Sequence, residues 1–337
     1  MQPIVLVIAA AGLDWLIGDP RWLPHPVVWM GQAIRYLRQR LEPWAGDRPR
    51  ELRLSGGLIT TALVLTSVGA GWLIERFWLQ SSGLWQWAAG LILVMALASA
   101  LAARSLHDSV IAVVKALPDQ DDAEPTLARE RLSWIVGRET NQLCGNEILR
   151  AAAETASENA VDGVFAPLFW MLVGVVLWRA GWLQGPGPLA LAWGFKASST
   201  LDSMLGYKRG RLRWLGTAGA RLDDALTWLP CRLVMVTLPL ISRSWWMWPS
   251  LVRAAERDGS LDPSPNAGRS EAIYAHCADV QLGGSNRYGD TWIDKPLLKA
   301  GGAEADPHGV RTILNLSARL ESLWLFAAGG LSLLTKQ

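Results

Sequence analysis

Long apolar runs limit what this chain can fold into more than any other feature of its sequence. Several of them approach the ~20 residues that a helix needs to cross a bilayer. They predict membrane-spanning helices at about 3–18, 56–78, 84–103, 164–183 and 319–335. Of all residues, 50% are hydrophobic and only 18% are charged, whereas about a quarter are charged in soluble domains. The sequence therefore predicts an all-α, polytopic integral membrane protein.

Two further segments are less clearly membrane-spanning. Residues 188–206 follow the turn sequence "GPG" and hold only a short apolar run, which favours a re-entrant or broken crossing. Residues 229–248 are long enough to span but contain Arg232, Pro239 and Arg243, which is also typical of a helix lying in the membrane interface. The 20 tryptophans fit such interfaces, because their rings favour the boundary between lipid and water.

The distribution of basic residues predicts the orientation in the membrane. The loop 21–53 is rich in arginine, which places it in the cytoplasm, whereas the short uncharged turn "LQSSG" fits the opposite side. The polar segments 104–163 and 251–318 then also face the cytoplasm. We therefore expect one catalytic domain, residues 1–337, embedded in the cell inner membrane, with cytoplasmic helical segments forming its active site.

Several familiar functional signatures are missing from the sequence. It contains neither GxxxxGK[ST] nor a GxGxxG that opens a helix, so a nucleotide would be bound by another arrangement. The cysteines lie far apart without CxxC spacing, which disfavours a zinc site or a disulfide framework. The formal net charge of +2 is too small to indicate nucleic-acid binding.

Acidic residues are concentrated in "ETASENAVDG" (154–163), just before the apolar run that begins at Val164. If this segment is helical, Glu154, Glu158 and Asp162 lie four residues apart and share one face. Like charges at this spacing repel, so a metal ion, a set of arginine and lysine side chains, or a cationic ligand is expected to compensate them. Carboxylate oxygens suit Mg²⁺, and Asn159 adds an amide oxygen nearby. The alternative is a solvated helix face.

Three other segments combine acids, bases and hydroxyl groups near apolar runs. They are candidate sites for anionic substrate groups, although headgroup-binding basic clusters, surface ion pairs and helix caps produce similar patterns. The residues concerned are Lys196, Asp202 and Lys208 in "KASSTLDSMLGYK", Arg221, Asp223, Asp224 and Arg232 in "ARLDDALTWLPCR", and Ser264 and Asn266 in "SPNAG".

Near the N-terminus, Asp14 lies inside the first predicted span and His25 follows it in "GDPRWLPHP". An acid within a membrane segment is by default a candidate for function. An interfacial turn fixed by Gly18, Pro20 and Pro24 is an equally good interpretation of the same residues.

Taken together, these segments resemble the adenosylcobinamide-phosphate synthase family of cobalamin biosynthesis, known as CobD or CbiB. The resemblance covers about residues 18–289 and depends on segments that occur in the family's order: "GDPRWLPHPV", "IVGRET", "ETASENAVDGVFAPLFW", "TLDSMLGYK", "ARLDDALTWLPCRL", and "SPNAG" with the later "LGGSNRYG". Two residues depart from the family pattern. Ser199 stands where asparagine is usual, and Cys231 stands where alanine is usual.

The resemblance implies an amide-forming ligase that joins adenosylcobyric acid to aminopropanol phosphate, or to ethanolamine phosphate, with ATP and Mg²⁺. It implies a corrinoid and a lipid bilayer as partners, together with other late cobalamin-assembly enzymes of the membrane. Catalytic roles then fall to acidic and amide side chains, metal binding to the three acids of "ETASENAVDG", and binding of substrate phosphate to basic and hydroxyl side chains. The catalytic set is Glu154, Glu158, Asn159, Asp202, Asp223 and Asp224. The phosphate-binding set is His25, Lys196, Lys208, Arg221, Arg232, Ser264 and Asn266.

Two other classes of protein remain open at this point. A membrane family that resembles AmpE is regarded as a sensor without ligase activity. A transporter would use Asp14 in a substrate path, but no inverted repeat is visible in the sequence. The combination of "TLDSM", "ARLDD" and "SPNAG" favours the enzyme over both.

Overall fold

The computed structural model describes residues 2–19, 25–118, 124–242, 244–288 and 291–334. Arg21, Pro20 and Pro24, which contributed to the predictions for the first loop, lie outside these residues. So do Arg243 and residue 335 of the last predicted span. Most of the described residues are helical, which confirms the prediction of an all-α membrane protein.

Helices follow one another along almost the whole chain. They are α1 Pro3–Ile17, α2 Pro26–Ala45, α3 Pro49–Gln80, α4 Gly83–Ala98, α5 Ala103–Lys115, α6 Thr126–Ser133, α7 Gly145–Ala160, α8 Ala166–Arg179, α9 Pro188–Leu205, α10 Leu212–Leu215, α11 Thr217–Ile241, α12 Trp248–Gly259, α13 Ala267–Ala278 and α14 Pro307–Leu334. A π-helical turn, Val161–Phe165, joins α7 to α8, and a 3₁₀ turn, Trp245–Met247, precedes α12.

Within the described residues, one β-hairpin interrupts the helices, and the prediction of an all-α fold did not include it. Strand β1, Leu282–Tyr288, pairs antiparallel with β2, Thr291–Leu298. Gly283 and Gly284 lie at an irregularity in the pairing, so the apolar and polar residues do not alternate cleanly along β1. A pattern without clean alternation gives little signal for a strand.

Four helical segments within the described residues are long and apolar enough to cross a membrane: Pro49–Gln80, Gly83–Lys115, Gly145–Arg179 and Thr217–Ile241. The predicted spans 56–78 and 84–103 lie inside the first two. The third contains most of 164–183, and the fourth contains much of 229–248, the segment whose sequence is also typical of an interfacial helix.

The remaining predicted crossings are shorter or more polar. Helix α1 has 15 residues and reaches only about 22 Å, less than the ~30 Å of a bilayer core. Helix α14, which contains the described part of the predicted span 319–335, carries Arg319 and Glu321 and is not among the four. Helix α9, which contains most of 188–206, is not among them either.

The chain divides into two compact units that each combine separate stretches of sequence. Unit 1 comprises Met1–Ala102, Ala166–Thr227 and Leu325–Gln337, and unit 2 comprises Ala103–Phe165 and Trp228–Trp324. Because both units interleave along the chain, neither is a contiguous sequence domain. One catalytic domain over 1–337 stays a prediction.

Unit 1 is a bundle in which α3 packs against α9 and α9 against α8. Small residues allow the backbones to come close at these contacts, as is typical of membrane helices. A Cβ on Gly71 of α3 would lie 2.8 Å from Ala190 Cα, and one on Gly174 of α8 would lie 2.3 Å from Pro188 N. Larger side chains at either glycine would therefore force the helices apart.

The start of α9 is held by a buried carboxylate from α3. Glu75 is fully buried, and its oxygens accept the backbone N–H groups of Gly187 (2.9 Å), Leu189 (2.6 Å) and Ala190 (3.2 Å). The first N–H groups of a helix have no partner within the helix, and Gly187 provides no side-chain cap. Glu75 therefore serves as the cap of α9 from another helix and fixes where α9 begins.

Unit 2 is built around α7, which contacts α5, α6, α13 and β1. Alanines at 151, 152, 153, 156 and 160 are fully buried, so neighbouring elements approach α7 closely on several sides. Helices α12 and α13 pack together, and both contact β2. The hairpin is thereby held between the central helix and this pair.

We predict that Glu75→Ala destabilises unit 1 by about 3 kcal/mol, because three buried N–H groups would lose their acceptor. The measurement is the midpoint of thermal unfolding of the detergent-purified chain, followed by size-exclusion chromatography after heating.

Glu51→Gln, on the same helix but more exposed, is the matched control and should shift the midpoint little. Equal midpoints for Glu75→Ala and Glu51→Gln would show that the cap does not stabilise α9.

Candidate active site

Glu154 is a charged residue in the middle of the alanine-rich helix α7. Its side chain is only 6% exposed. Its Oε2 lies 2.7 Å from Nη2 of Arg138, and its Oε1 lies 3.9 Å from Nε of Arg150, one turn earlier on α7. Oε1 also accepts the backbone N–H of Gly283 from β1 at 2.9 Å. Arginine partners and a backbone donor therefore compensate this buried charge.

Glu158 follows Glu154 by one turn and lies near a lysine of the hairpin. Lys295 of β2 donates to Oε1 of Glu271 of α13 at 3.1 Å, and the Glu271 side chain is only 1% exposed. Burial alone would lower the pKa of Lys295, but the carboxylates of Glu271, Glu158 and Glu154 raise it above its usual value. Lys295 therefore stays protonated at neutral pH and offsets the repulsion between the acids.

These residues show which groups compensate the repulsion between the acids of the segment 154–163. Three cations and three carboxylates from α7, α13, β2 and the loop before α7 form what we call the charge cluster. Its members are Arg138, Arg150, Lys295, Glu154, Glu158 and Glu271. Of the three compensating partners considered from the sequence, the structure places arginine and lysine side chains there.

The predicted metal ligands Glu154, Glu158 and Asp162 do not form a three-carboxylate site. No group of three histidine, cysteine, aspartate or glutamate side chains in the described part of the chain is arranged to hold a metal ion. The oxygens of Glu154 are engaged by Arg138 and Gly283. Asp162 lies in the π-helical turn, where the wider helical turn breaks the four-residue spacing expected of an α-helix.

Arg150 joins α7 to the hairpin. Its Nη1 donates to the carbonyl of Gly283 at 2.7 Å, and its Nη2 donates to the carbonyl of Ser285 at 3.1 Å. Nη2 also lies 3.4 Å from Oδ1 of Asn286. A Cβ on Gly284 would come within 2.8 Å of Nη1, so the missing side chain there leaves room for the guanidinium group.

The segment around "SPNAG" is organised by Arg232. Its Nη1 donates to Oδ1 of Asn266 at 2.6 Å, and its Nη2 donates to the carbonyl of Pro265 at 2.8 Å. Ser264 Oγ accepts the N–H groups of Asn266 and Ala267 at the start of α13. Ser264 is therefore a helix cap, whereas the Asn266 side chain binds arginine and does not cap.

Cys231, one of the two departures from the family pattern, is fully buried next to this segment. Its Sγ donates to the carbonyl of Asn266 at 3.5 Å. The substitution of cysteine for alanine thus adds a packing contact and a weak hydrogen bond.

Unit 1 holds the other predicted acids and lysines. Asp202 of α9 and Asp224 of α11 interact electrostatically, and Asp224 also interacts with Lys208. Lys208 and Arg221 are exposed, while Lys196 and Asp223 are partly buried. The structure therefore brings together Asp202, Asp224 and Lys208 within this unit.

Hydroxyl groups of α9 are turned back onto their own helix. Thr200 Oγ1 donates to the carbonyl of Lys196, and Ser203 Oγ donates to the carbonyl of Ser199. The side chain of Ser199, the second departure from the family pattern, is partly buried.

His25 has a structural role in α2. Its Nδ1 accepts the N–H of Val27 at 3.3 Å, and its Nε2 lies 3.2 Å from Asp19. It thus caps α2, which fits the interpretation of this segment as a turn. Asn159 is exposed on α7, and Asp14 is buried within α1.

The fold and these sites define a helical membrane protein with a buried, charge-balanced polar site in one of its two units. The family model of the CobD/Cbib protein matches residues 7–317. The chain is 42% identical over 302 residues to the cobalamin biosynthesis protein CobD of Synechocystis, covering 89% of this chain and 84% of that protein. No solved structure matches the chain.

Two further relatives extend the match. The cobalamin biosynthesis protein CbiB of Salmonella typhimurium is 35% identical over 325 residues, with 96% of this chain and 93% of that protein covered. The CobD protein of Halalkalibacterium halodurans is 38% identical over 290 residues, with 85% and 82% covered. The chain therefore belongs to the CobD/CbiB family of cobalamin biosynthesis proteins, as its sequence motifs had indicated.

Several residues of the charge cluster were not among the predicted site residues. Arg150 has a signal in the sequence, because it precedes Glu154 by four residues on a predicted helix. Arg138 lies within the family motif "IVGRET", but nothing in its own neighbourhood identifies its partner. Glu271 and Lys295 reach the cluster from segments more than a hundred residues away, and no local pattern predicts such contacts.

We predict strong energetic coupling between Arg138 and Glu154. Arg138→Met should destabilise unit 2 by about 3 kcal/mol, because it leaves a buried carboxylate with less compensation. The double variant Arg138→Met/Glu154→Gln should be less destabilised than the two single variants added together. The difference in the free energy of unfolding should be at least about 1 kcal/mol, measured by thermal unfolding of the purified chain.

The exposed pair Arg104 and Asp108 on α5 provides the control cycle, with Arg104→Met and Asp108→Asn. Its coupling should be below about 1 kcal/mol. Additive effects in both cycles would contradict an energetic role for the buried pair.

Proposed function

We propose that this protein forms the amide bond between adenosylcobyric acid and an aminoalcohol phosphate, giving adenosylcobinamide phosphate with consumption of ATP. The aminoalcohol phosphate is (R)-1-amino-2-propanol phosphate or ethanolamine phosphate. Membership of the CobD/CbiB family supports a role in cobalamin biosynthesis and disfavours the AmpE-like sensor and the transporter. The charge cluster of unit 2 is the observation on which the proposed chemistry depends.

Amide formation requires an activated carboxyl group and a neutral amine. A carboxylate and an ammonium do not condense readily, so the carboxylate is first phosphorylated by ATP with release of ADP. The nitrogen of the aminoalcohol phosphate then attacks the acyl phosphate and inorganic phosphate leaves. A carboxylate near the amine takes the proton that the ammonium must lose.

The charge cluster offers both kinds of group that this reaction needs. Arg150 and Lys295 provide positive charge for phosphate oxygens, and their side chains remain 23% and 24% exposed. Glu158 provides a carboxylate near Lys295 for an ammonium group. Because the arginine and lysine positions are fixed by ion pairs, little reorganisation is needed when charge develops.

Mg²⁺ enters this proposal only together with the phosphates of ATP, which commonly supply most of its ligands. Within the described residues, no group of three histidine, cysteine, aspartate or glutamate side chains is arranged to hold a metal ion. We therefore assign no Mg²⁺ ligand within the described residues.

The other predicted site residues differ between the two units in the roles that we propose for them. Asp202, Asp223 and Asp224 are proposed catalytic acids or bases of unit 1, with Lys196, Lys208 and Arg221 as phosphate-binding residues. Arg232, Ser264 and Asn266 belong to unit 2, where their mutual hydrogen bonds favour a structural role.

The proposed reaction is tested with the detergent-purified chain, adenosylcobyric acid, aminopropanol phosphate and ATP with Mg²⁺. We expect adenosylcobinamide phosphate by mass spectrometry, with one ADP released per amide formed and no product without ATP. Lys295→Met should lower kcat/KM about a hundredfold, because a fixed positive charge is lost from the site.

Lys299→Met is the matched control, since Lys299 follows β2 but pairs with the exposed Asp279 outside the charge cluster. No amide from a folded, monodisperse wild-type chain would contradict the proposed function. Equal kinetics for the two lysine variants would remove Lys295 from the mechanism.

The proposed orientation has its own test in a native cysteine. Cys144 is exposed at the start of α7, whereas Cys231 is buried and Cys277 is partly buried. If the segment 104–163 faces the cytoplasm, a membrane-impermeant maleimide added to intact spheroplasts should leave Cys144 unlabelled. The same reagent should label it in inverted vesicles.

Cys144→Ser identifies the labelled residue in this experiment, because that variant should lose the signal in inverted vesicles. Labelling of Cys144 from outside intact spheroplasts would reverse the proposed orientation.

A further inference from the structure

Asn286 carries the clearest sign of a ligand site in unit 2. The residue is only 3% exposed, and its Oδ1 accepts from Arg150. Its Nδ2 group is buried and has no hydrogen-bond acceptor among the described residues. A buried donor without an acceptor is costly, and such groups in native proteins call for an explanation such as a bound ligand.

The register of the hairpin places Asn286 beside positive charge. Gly284 pairs with Lys295, and residues two apart on a strand share a face, so Asn286 and Lys295 lie on the same face of the hairpin. Arg150 lies at this face, because its Nη2 is 3.4 Å from Asn286 Oδ1 and a Cβ on Gly284 would come within 2.8 Å of its Nη1. Three kinds of donor therefore lie at one face of the hairpin: an amide, a guanidinium and an ammonium group.

Negative charge lies next to these donors. Lys295 interacts with Glu271 directly and with Glu158 electrostatically. A ligand with only phosphate would be attracted to the donors and repelled by these acids. A ligand with only an amine would leave the amide group of Asn286 without an acceptor.

We infer that the hairpin face formed by Asn286, Lys295 and Arg150 binds a small zwitterion, with its phosphate at these donors and its ammonium group toward Glu158. This inference rests on the proposed function, because it assigns the aminoalcohol phosphate to this face. The phosphate oxygens accept from Asn286 Nδ2 and from the two cations, and the acids stabilise the ammonium group.

The test is isothermal titration of the full-length, detergent-purified chain with phosphoethanolamine, ethyl phosphate, ethanolamine and ATP. Ethyl phosphate lacks the amine and ethanolamine lacks the phosphate. For the wild-type chain, phosphoethanolamine should bind at least about tenfold more tightly than either fragment, because both of its charged groups find partners.

Three variants separate the contributions of the two groups. Asn286→Asp keeps the acceptor for Arg150 but replaces the donor with a negative oxygen. It should therefore weaken the binding of phosphoethanolamine and of ethyl phosphate by about tenfold or more. Asn286→Ser keeps a donor on a shorter side chain and should weaken the binding of both ligands less than Asn286→Asp does. Glu158→Gln should weaken the binding of phosphoethanolamine, whereas ethyl phosphate should bind as tightly or more tightly, because one repelling charge is lost.

Ser285→Ala is the matched control, because the Ser285 side chain lies on the opposite face of the hairpin, bonded to the exposed Asp294. It should bind phosphoethanolamine like the wild-type chain. Equal affinities of Asn286→Asp and Ser285→Ala for phosphoethanolamine would overturn the inference. The inference would also be overturned if Asn286→Asp weakened the binding of ATP but not of phosphoethanolamine, since that result would assign this face to the nucleotide.

The amide-forming assay keeps this inference separate from the proposed function. If the wild-type chain forms the amide and Asn286→Asp does so with unchanged KM for the aminoalcohol phosphate, the binding site is wrong and the function stands. If phosphoethanolamine binding shows the expected pattern but no amide forms, the binding site stands and the proposed reaction fails.

Discussion

The carboxylate of Glu154 is the charge around which unit 2 is arranged. An ionised carboxylate in a helix packed with alanines cannot stay buried without partners, because its lost hydration must be replaced. Arg138 comes from the loop before α7, Arg150 from α7 itself, and the N–H of Gly283 from β1. One buried charge thereby fixes a loop, a helix and a strand with respect to one another within the unit.

The hairpin can approach this carboxylate only because its first strand has two glycines. Gly283 has φ +82°, and a Cβ there would lie 2.0 Å from the carbonyl oxygen of Pro296, so another residue would push the strands apart. The same local geometry directs the Gly283 N–H to Glu154 and its carbonyl to Arg150. Asn286 and Lys295 then come to the helix as a consequence of how β1 is attached.

The sequence predicted the helical membrane fold and the family, but only part of the site. Hydropathy is summed over many residues, so the spans within α3 and within Gly83–Lys115 could be predicted from composition. The acidic face of α7 was also visible from its four-residue spacing, but the identity of the compensating charge was not. Glu271 and Lys295 reach that face through tertiary packing and a hairpin, and neither element has a strong local pattern. The π-helical turn at Asp162 breaks the four-residue spacing of the acids, and no feature of the sequence indicates this turn.

The different cations of the charge cluster suit different tasks. A guanidinium group is planar, always charged and able to make several hydrogen bonds in fixed directions, so arginine suits the buried partner of Glu154 and the hairpin carbonyls. An ammonium group is compact and makes bonds in no fixed plane, and Lys295 holds its charge because nearby carboxylates raise its pKa. An amine substrate brings the same kind of group to the same acids. The carboxylates that stabilise Lys295 are therefore chemically suited to receive a second ammonium group, provided that an anion on the same ligand offsets the added positive charge.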